Sequence, residues 1–210
     1  MPFRINLPKY AALLICLFLL IAIFPLLPLS VPSYSLEFAY DAVLVTGLLP
    51  ALRMAQYRTA LLTLTIATIA FRWAGHFIGD TDLILLAASL LTIFWLGSVS
   101  HVIMIDLMKK TAINFDKVAG AIVVYLFIAF IFSEVYTIIQ LYDQSSFNNL
   151  RPGREALSML YFSMSSMAGK DFGAIGVNSD VIIAFSLIQS MLGMFFVAVL
   201  VAWLVGLNIA

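Results

Sequence analysis

The stretch Ala156-Leu-Ser-Met-Leu-Tyr-Phe-Ser-Met-Ser-Ser-Met-Ala168, followed by Gly169-Lys-Asp-Phe-Gly-Ala-Ile175, decides how this chain is read. It is apolar enough to enter a membrane, yet as a helix it reaches only about 20 Å, short of the roughly 30 Å hydrocarbon layer. A segment of that length is better read as re-entrant, and its backbone is tolerated only where protein or water surrounds it. Two longer apolar runs flank it, 118–142 and 180–207, and further runs lie at 10–29, 36–52, 58–78 and 83–105. The predicted fold is an all-α membrane protein with six transmembrane helices and a re-entrant helix between the fifth and sixth. A four-helix unit, 1–110, then precedes a second unit, 111–210, that carries the re-entrant segment.

Composition agrees with a life in lipid. Hydrophobic residues make up 63% of the chain and charged residues 10%, where soluble domains average about 25% charged. The mean hydropathy is +1.08. Long apolar runs recur along the whole length, so no soluble domain is expected at either end. Eleven basic residues balance eleven acidic ones, which leaves no general basic field for nucleic acid. The single cysteine, Cys16, lies inside the first apolar run and excludes a disulfide within one chain. Arg4 and Lys9 before that run also fit a secretory signal, but the run is long enough to span and no small-x-small cleavage pattern follows it.

Lys and Arg accumulate on the cytoplasmic side of membrane proteins. Arg4, Lys9, Arg53, Arg58, Lys109, Lys110 and Lys117 fall on one side of the six predicted spans, with only Asp106 and Asp116 among them. Both termini are therefore expected inside, and the re-entrant segment opens outward. Asp41 and Arg72 sit at similar depths in the second and third spans and are expected to pair, as buried charges in lipid usually do. The fourth span has no basic residue before Lys109, which argues against a voltage sensor.

The segment Tyr161 to Ile175, with the runs on either side of it, resembles the pore module of the potassium-channel superfamily, in particular small bacterial six-helix members. Tyr161, Phe162 and Ser163 fall on the family's Tyr-Phe-Ser without a gap, and Gly173 and Ile175 follow in register. Ala121 to Tyr125, Tyr136, Asp143 and Phe147 look like the family's fifth helix and turret, and Leu192, Gly193 and Ala198 to Val201 like its sixth helix. The resemblance covers Lys117 to Leu207; the first four helices match in length and hydrophobicity alone. It implies a homotetramer in a bacterial inner membrane, with permeant potassium, sodium or calcium ions and no other cofactor. The five filter positions would be Gly169, Lys170, Asp171, Phe172 and Gly173, with Ser165, Ser166 and Glu134 behind them. Gly193 would be a gating hinge, although close helix packing explains a membrane glycine equally well.

The filter departs from the family's T-V-G-Y-G. Asp171 stands where a glycine carbonyl would face the ion, and Gly169 replaces a threonine. Ala174 and Ser165 replace acidic residues that brace the family's filter. A ring of Asp171 carboxylates would attract cations, including divalent ones. Lys170, pointing toward the re-entrant helix as the family's residue does, would need a partner, and Glu134 in the outer half of the fifth helix is the expected one. The resulting expectation is a cation channel of weak selectivity. A non-conducting channel-like scaffold or sensor, and anion conduction past Lys170, are the alternatives. No H-E-x-x-H or nucleophile-base pattern suggests an enzyme, and His76 and His101 are expected at interfaces or caps.

Overall fold

The computed structural model describes residues 10–23, 26, 34–51, 58–79, 81–109, 114–170 and 172–207. They form helices α1 (Ala11–Ile23), α2 (Tyr34–Ala51), α3 (Arg58–Ile78), α4 (Asp82–Leu107), α5 (Phe115–Tyr142), α6 (Glu155–Met167) and α7 (Asp180–Leu207). Two short strands, β1 (Phe147–Asn148) and β2 (Gly176–Val177), pair antiparallel between α5 and α7. Among the described residues, three helices are long and apolar enough to cross a membrane: Asp82–Leu107, Phe115–Tyr142 and Asp180–Trp203. The expected spans 83–105, 118–142 and 180–207 and the short segment 156–168 thus appear as helices within a few residues of the predicted limits. The first expected span, 10–29, is described as a helix only over 11–23.

α5 begins where Asn114 caps it, its side-chain oxygen accepting from Lys117 N–H at 3.0 Å. That capping bond satisfies one of the donors a helix start leaves open. α4 and α5 form the centre of the bundle, with Trp95, Val99 and Ile103 of α4 and Val123, Phe127 and Phe130 of α5 all buried. Leu13 and Leu17 of α1 and Val43 and Leu44 of α2 join the same core. Trp95 carries a polar edge into it and satisfies that edge on Thr65, Nε1 to Oγ1 at 2.7 Å.

Asp106 and Asp116, the two acids near Lys109 and Lys117, hold the base of α1. Tyr10 N–H donates to Asp116 Oδ1 at 2.7 Å, and Tyr10 OH to Asp106 Oδ2 at 2.8 Å. α6 is buried along one side against α5 and α7, through Leu157, Leu160, Phe162 and Ser163 among others. α7 touches the rest of the chain by a narrow stripe in which Ile182, Gln189 and Gly193 are buried. The remainder of α7 leaves Leu187, Met191, Met194, Phe195 and Val199 more than half or nearly half exposed.

Candidate functional site

α6 ends in a closed cap. Ala168 N–H donates to Met164 O, Gly169 N–H to Ser166 O at 3.0 Å, and Lys170 N–H to Ser165 O at 2.9 Å. The last two bonds are the paired closure of a helix followed by a left-handed residue, and Gly169 supplies that residue with φ of 64°. A Cβ there would be strained by its backbone, so the glycine at 169 is accounted for by helix termination. After Asp171, Phe172 to Ile175 make a turn in which Ile175 N–H reaches Phe172 O at 3.4 Å and Gly173 has φ of 65°. The described residues before Asp171 close a helix, and those after it make a turn.

This turn leans on an aromatic cluster. Phe172 lies 4.4 Å, between ring centroids, from buried Phe162, which stacks edge-on to Tyr136 and Phe147 at 5.0 Å each. Asn149 Nδ2 donates to Ala174 O at 3.1 Å, tying the loop after α5 to the turn. Just before α7, Asn178 N–H donates to Ser146 O at 3.0 Å and its side chain to Ser145 O at 3.1 Å. Asp143, at the end of α5, accepts from Ser145 Oγ at 2.6 Å, Ser145 N–H at 3.0 Å and Ser146 Oγ at 3.0 Å. The Ser145 and Ser146 hydroxyls, with the Ser145 amide, hold the carboxyl of Asp143 below its ordinary range.

Behind α6 a closed polar network joins three helices. Tyr136 OH of α5 donates to Gln189 Oε1 of α7 at 2.7 Å. Gln189 Nε2 donates to Ser163 O at 3.0 Å and Ser163 Oγ at 2.7 Å, both on α6. Ser163 Oγ in turn donates to Ala129 O of α5 at 2.5 Å. Tyr136, Ser163 and Gln189 are each 0% exposed, so these bonds carry no competition from water. One turn along α7, the backbone of Gly193 lies so close to Met167 O that any Cβ would collide with it. The sequence reading placed Tyr136 and Ser163 in the motif but passed over Gln189. A lone amide inside a long apolar helix is a signal of an inward-facing position.

The other predicted site residues are distributed differently from expectation. Asp171, the expected cation ligand, lies outside the described residues. Ser165 and Ser166 are buried at the end of α6, with Ser166 Oγ donating to Phe162 O at 3.0 Å. Lys170 is exposed beyond that end, whereas Glu134 is buried in the bundle. The expected Lys170–Glu134 pair is not formed; Glu134 instead lines a cavity of about 140 Å³ with Arg72, Tyr40, Ser89, Ser133 and Thr137. The expected Asp41–Arg72 pair is not formed either. Asp41 Oδ2 accepts from Trp73 Nε1 at 2.7 Å, while the Arg72 guanidinium lies over the Tyr40 ring at 4.4 Å. Among the described residues, no three His, Cys, Asp or Glu side chains converge on one point. Comparisons of the chain with family models, characterised proteins and solved structures find no match.

Proposed function

We propose that the chain is one subunit of a homotetrameric cation channel of the potassium-channel superfamily. Each subunit crosses a bacterial inner membrane six times with both termini inside, and α6 serves as the pore helix. Residues 169–173 would line the narrow part of the path and α7 its inner part. The observation that carries this reading is α6 itself: a 13-residue helix held between two long apolar helices, with residues 168–170, just past its end, exposed. The carboxyl end of a helix carries about half a negative charge, which favours a cation near residues 168–170. One such segment cannot enclose an aqueous path, whereas a ring of four can. The wide apolar surface of α7 is a further support, since it suits contact with lipid or with other copies.

Lys170 favours a second reading, a non-conducting scaffold of the same architecture. Its ammonium is at the same exposed tip, and four of them near an axis would repel cations by about 1 kcal/mol per pair at 4 Å in water, and more in a partly dry path. Bilayer recording with purified protein in mixed potassium, sodium and chloride separates the readings. The proposal expects a cation-selective reversal potential with weak preference for potassium over sodium. It also expects a calcium effect at the outer mouth that Asp171→Asn weakens. A reversal potential tracking chloride, or no conductance from a stable tetramer, would sink it.

A further inference from the structure

Many hydroxyls inside the helices of this chain are satisfied by their own backbone. Thr65, Thr68, Thr92, Thr137 and Ser166 each donate to the carbonyl four residues earlier, at 2.7–3.0 Å. Ser89 of α4 and Ser133 of α5 do not. They are 7% and 3% exposed, and neither hydroxyl has a hydrogen-bond partner among the described residues. Both residues line one cavity of about 140 Å³, together with Tyr40, Arg72, Glu134 and Thr137. The other walls are Leu85, Ala88 and Ala156. Leu85 and Ala156 are exposed, while Tyr40, Ser133 and Glu134 are buried. The cavity therefore has a rim at Leu85 and Ala156 and a polar floor inside the bundle. Ala156 follows directly on the exposed polar loop Arg151-Pro-Gly-Arg-Glu155.

We propose that this cavity is a hydrated crevice, a site for ordered water that runs from the loop 151–155 into the bundle as far as Ser133 and Glu134. Buried hydroxyls are paired with protein or with water, and in a membrane bundle no bulk solvent reaches them unless a path is built. A water molecule needs about 10–15 Å³ of such space and two to four polar partners, whereas cavities that stay dry are apolar. This one has room for several waters, and the two serine hydroxyls supply donors and acceptors that nothing else in the described chain uses. Arg72 and Glu134 keep the contacts they already have, and the water adds to them. A hydrocarbon chain in the same space would leave both hydroxyls unpaired.

The consequence is a second aqueous route into the bundle. Small hydrophilic solutes and protons would reach Glu134 between α4, α5 and the start of α6, away from residues 168–170. The crevice goes beyond the channel reading and stands whether or not the chain conducts.

The test uses the full chain in lipid nanodiscs, which leave both faces open to solution. In a Cys16→Ala background each variant carries a single thiol, and its reaction with aminoethyl methanethiosulfonate is followed by intact mass. Ser133→Cys and Ser89→Cys should react at least about 10-fold faster than two references, because thiol reactivity requires water and the thiolate. The references are Thr92→Cys, three residues further along α4 and buried, and Leu90→Cys, exposed on the outside of α4. Rates equal to that of Thr92→Cys would overturn the crevice. Adding Ala156→Trp, which fills the rim, should slow Ser133→Cys several-fold, and an unchanged rate would overturn entry at the loop. A second measurement needs no variant: hydroxyl radicals generated by X-rays in the unaltered protein oxidise side chains that adjoin bound water. Tyr40, which lines the cavity, should be oxidised several-fold faster than Tyr136, equally buried but in the closed network with Gln189. Equal oxidation of the two tyrosines would overturn the proposal even if the cysteine variants fail to fold.

Discussion

Replacing Gln189 with methionine tests whether the buried network binds α5, α6 and α7 together. Methionine is close in size and apolar, so the substitution removes hydrogen bonds without opening a large cavity. Three bonds are lost: Tyr136 OH to Oε1 at 2.7 Å, and Nε2 to Ser163 O and Oγ at 3.0 and 2.7 Å. Interhelical hydrogen bonds in membranes average about 0.6 kcal/mol, so the three contribute about 2 kcal/mol. Tyr136 OH, 0% exposed, is then stranded, which adds about 1 kcal/mol or more. Gln189→Met should therefore cost about 3 kcal/mol, a fall in midpoint of roughly 6–12 °C for a chain of this size. Tyr136→Phe alone should cost about 1 kcal/mol. The double variant should be less destabilised than the sum by about 1 kcal/mol, since removing both partners leaves no stranded hydroxyl. Tryptophan fluorescence on heating in detergent gives the midpoints. Strict additivity, within about 0.5 kcal/mol, would refute the claim that Tyr136 and Gln189 share one network.

At Gly193, alanine should cost about 1–3 kcal/mol because its Cβ collides with Met167 O. Gly97→Ala, in α4 with nothing within 4 Å of its Cβ, should instead be neutral or stabilise by up to about 1 kcal/mol; equal effects at the two sites would contradict the close approach. Gly169→Ala should lower stability by about 1 kcal/mol through the left-handed backbone, and Gly169→Asn by less, as read by the same melts. For Asp143, whose carboxyl is held below its ordinary range by the Ser145 and Ser146 bonds, a carbon-detected NMR titration should give a midpoint below about 3.9. The sign follows from that depression: the stabilisation of the 143–146 turn is complete above the ordinary carboxylate pKa and fades as pH falls through the lower folded value. Crosslinking in detergent should give a ladder reaching four subunits, and one that stops at two would contradict the ring.

Helix length and position were legible because they depend on apolar runs alone, and the limits of α4, α5, α6 and α7 follow those runs closely. Side-chain partners were not legible, for a geometric reason. Counting residues from the membrane surface placed Asp41 and Arg72 at similar depth, but depth does not fix direction around the axis. Adjacent helix residues point about 100° apart, and that rotation gives Asp41 to Trp73 while Arg72 turns to Tyr40 and the Glu134 cavity. The same ambiguity misdirected Glu134 toward Lys170. Gly169 illustrates a different limit: aligned on a filter pattern it replaces a threonine, while locally it is the residue that ends α6. A local rule about helix termination explains it without reference to any ion.

The two contacts of α7 with α6 also bear on how α7 can move. Gln189 and Gly193 are four residues apart and so lie on one face, a single turn from each other. At the first, two hydrogen bonds tie α7 to Ser163, and at the second the helix backbones meet at Met167. A hinge at Gly193 requires the segments on either side to swing relative to each other. A swing toward α6 is blocked by Met167 O, and a swing away strains the Gln189 bonds one turn above. Glycine at 193 is thus accounted for by close approach, as helix packing in membranes often requires. On the channel reading, bending confined to α7 would have to begin on the inner side of Gly193, where Phe195, Val197 and Val199 are exposed. Otherwise α7 and α6 would move as one body and carry residues 168–170 with them. Spin labels at Tyr161 and Val199 would distinguish the cases: in the first their separation changes on activation, and in the second it stays constant while the distance between subunits changes.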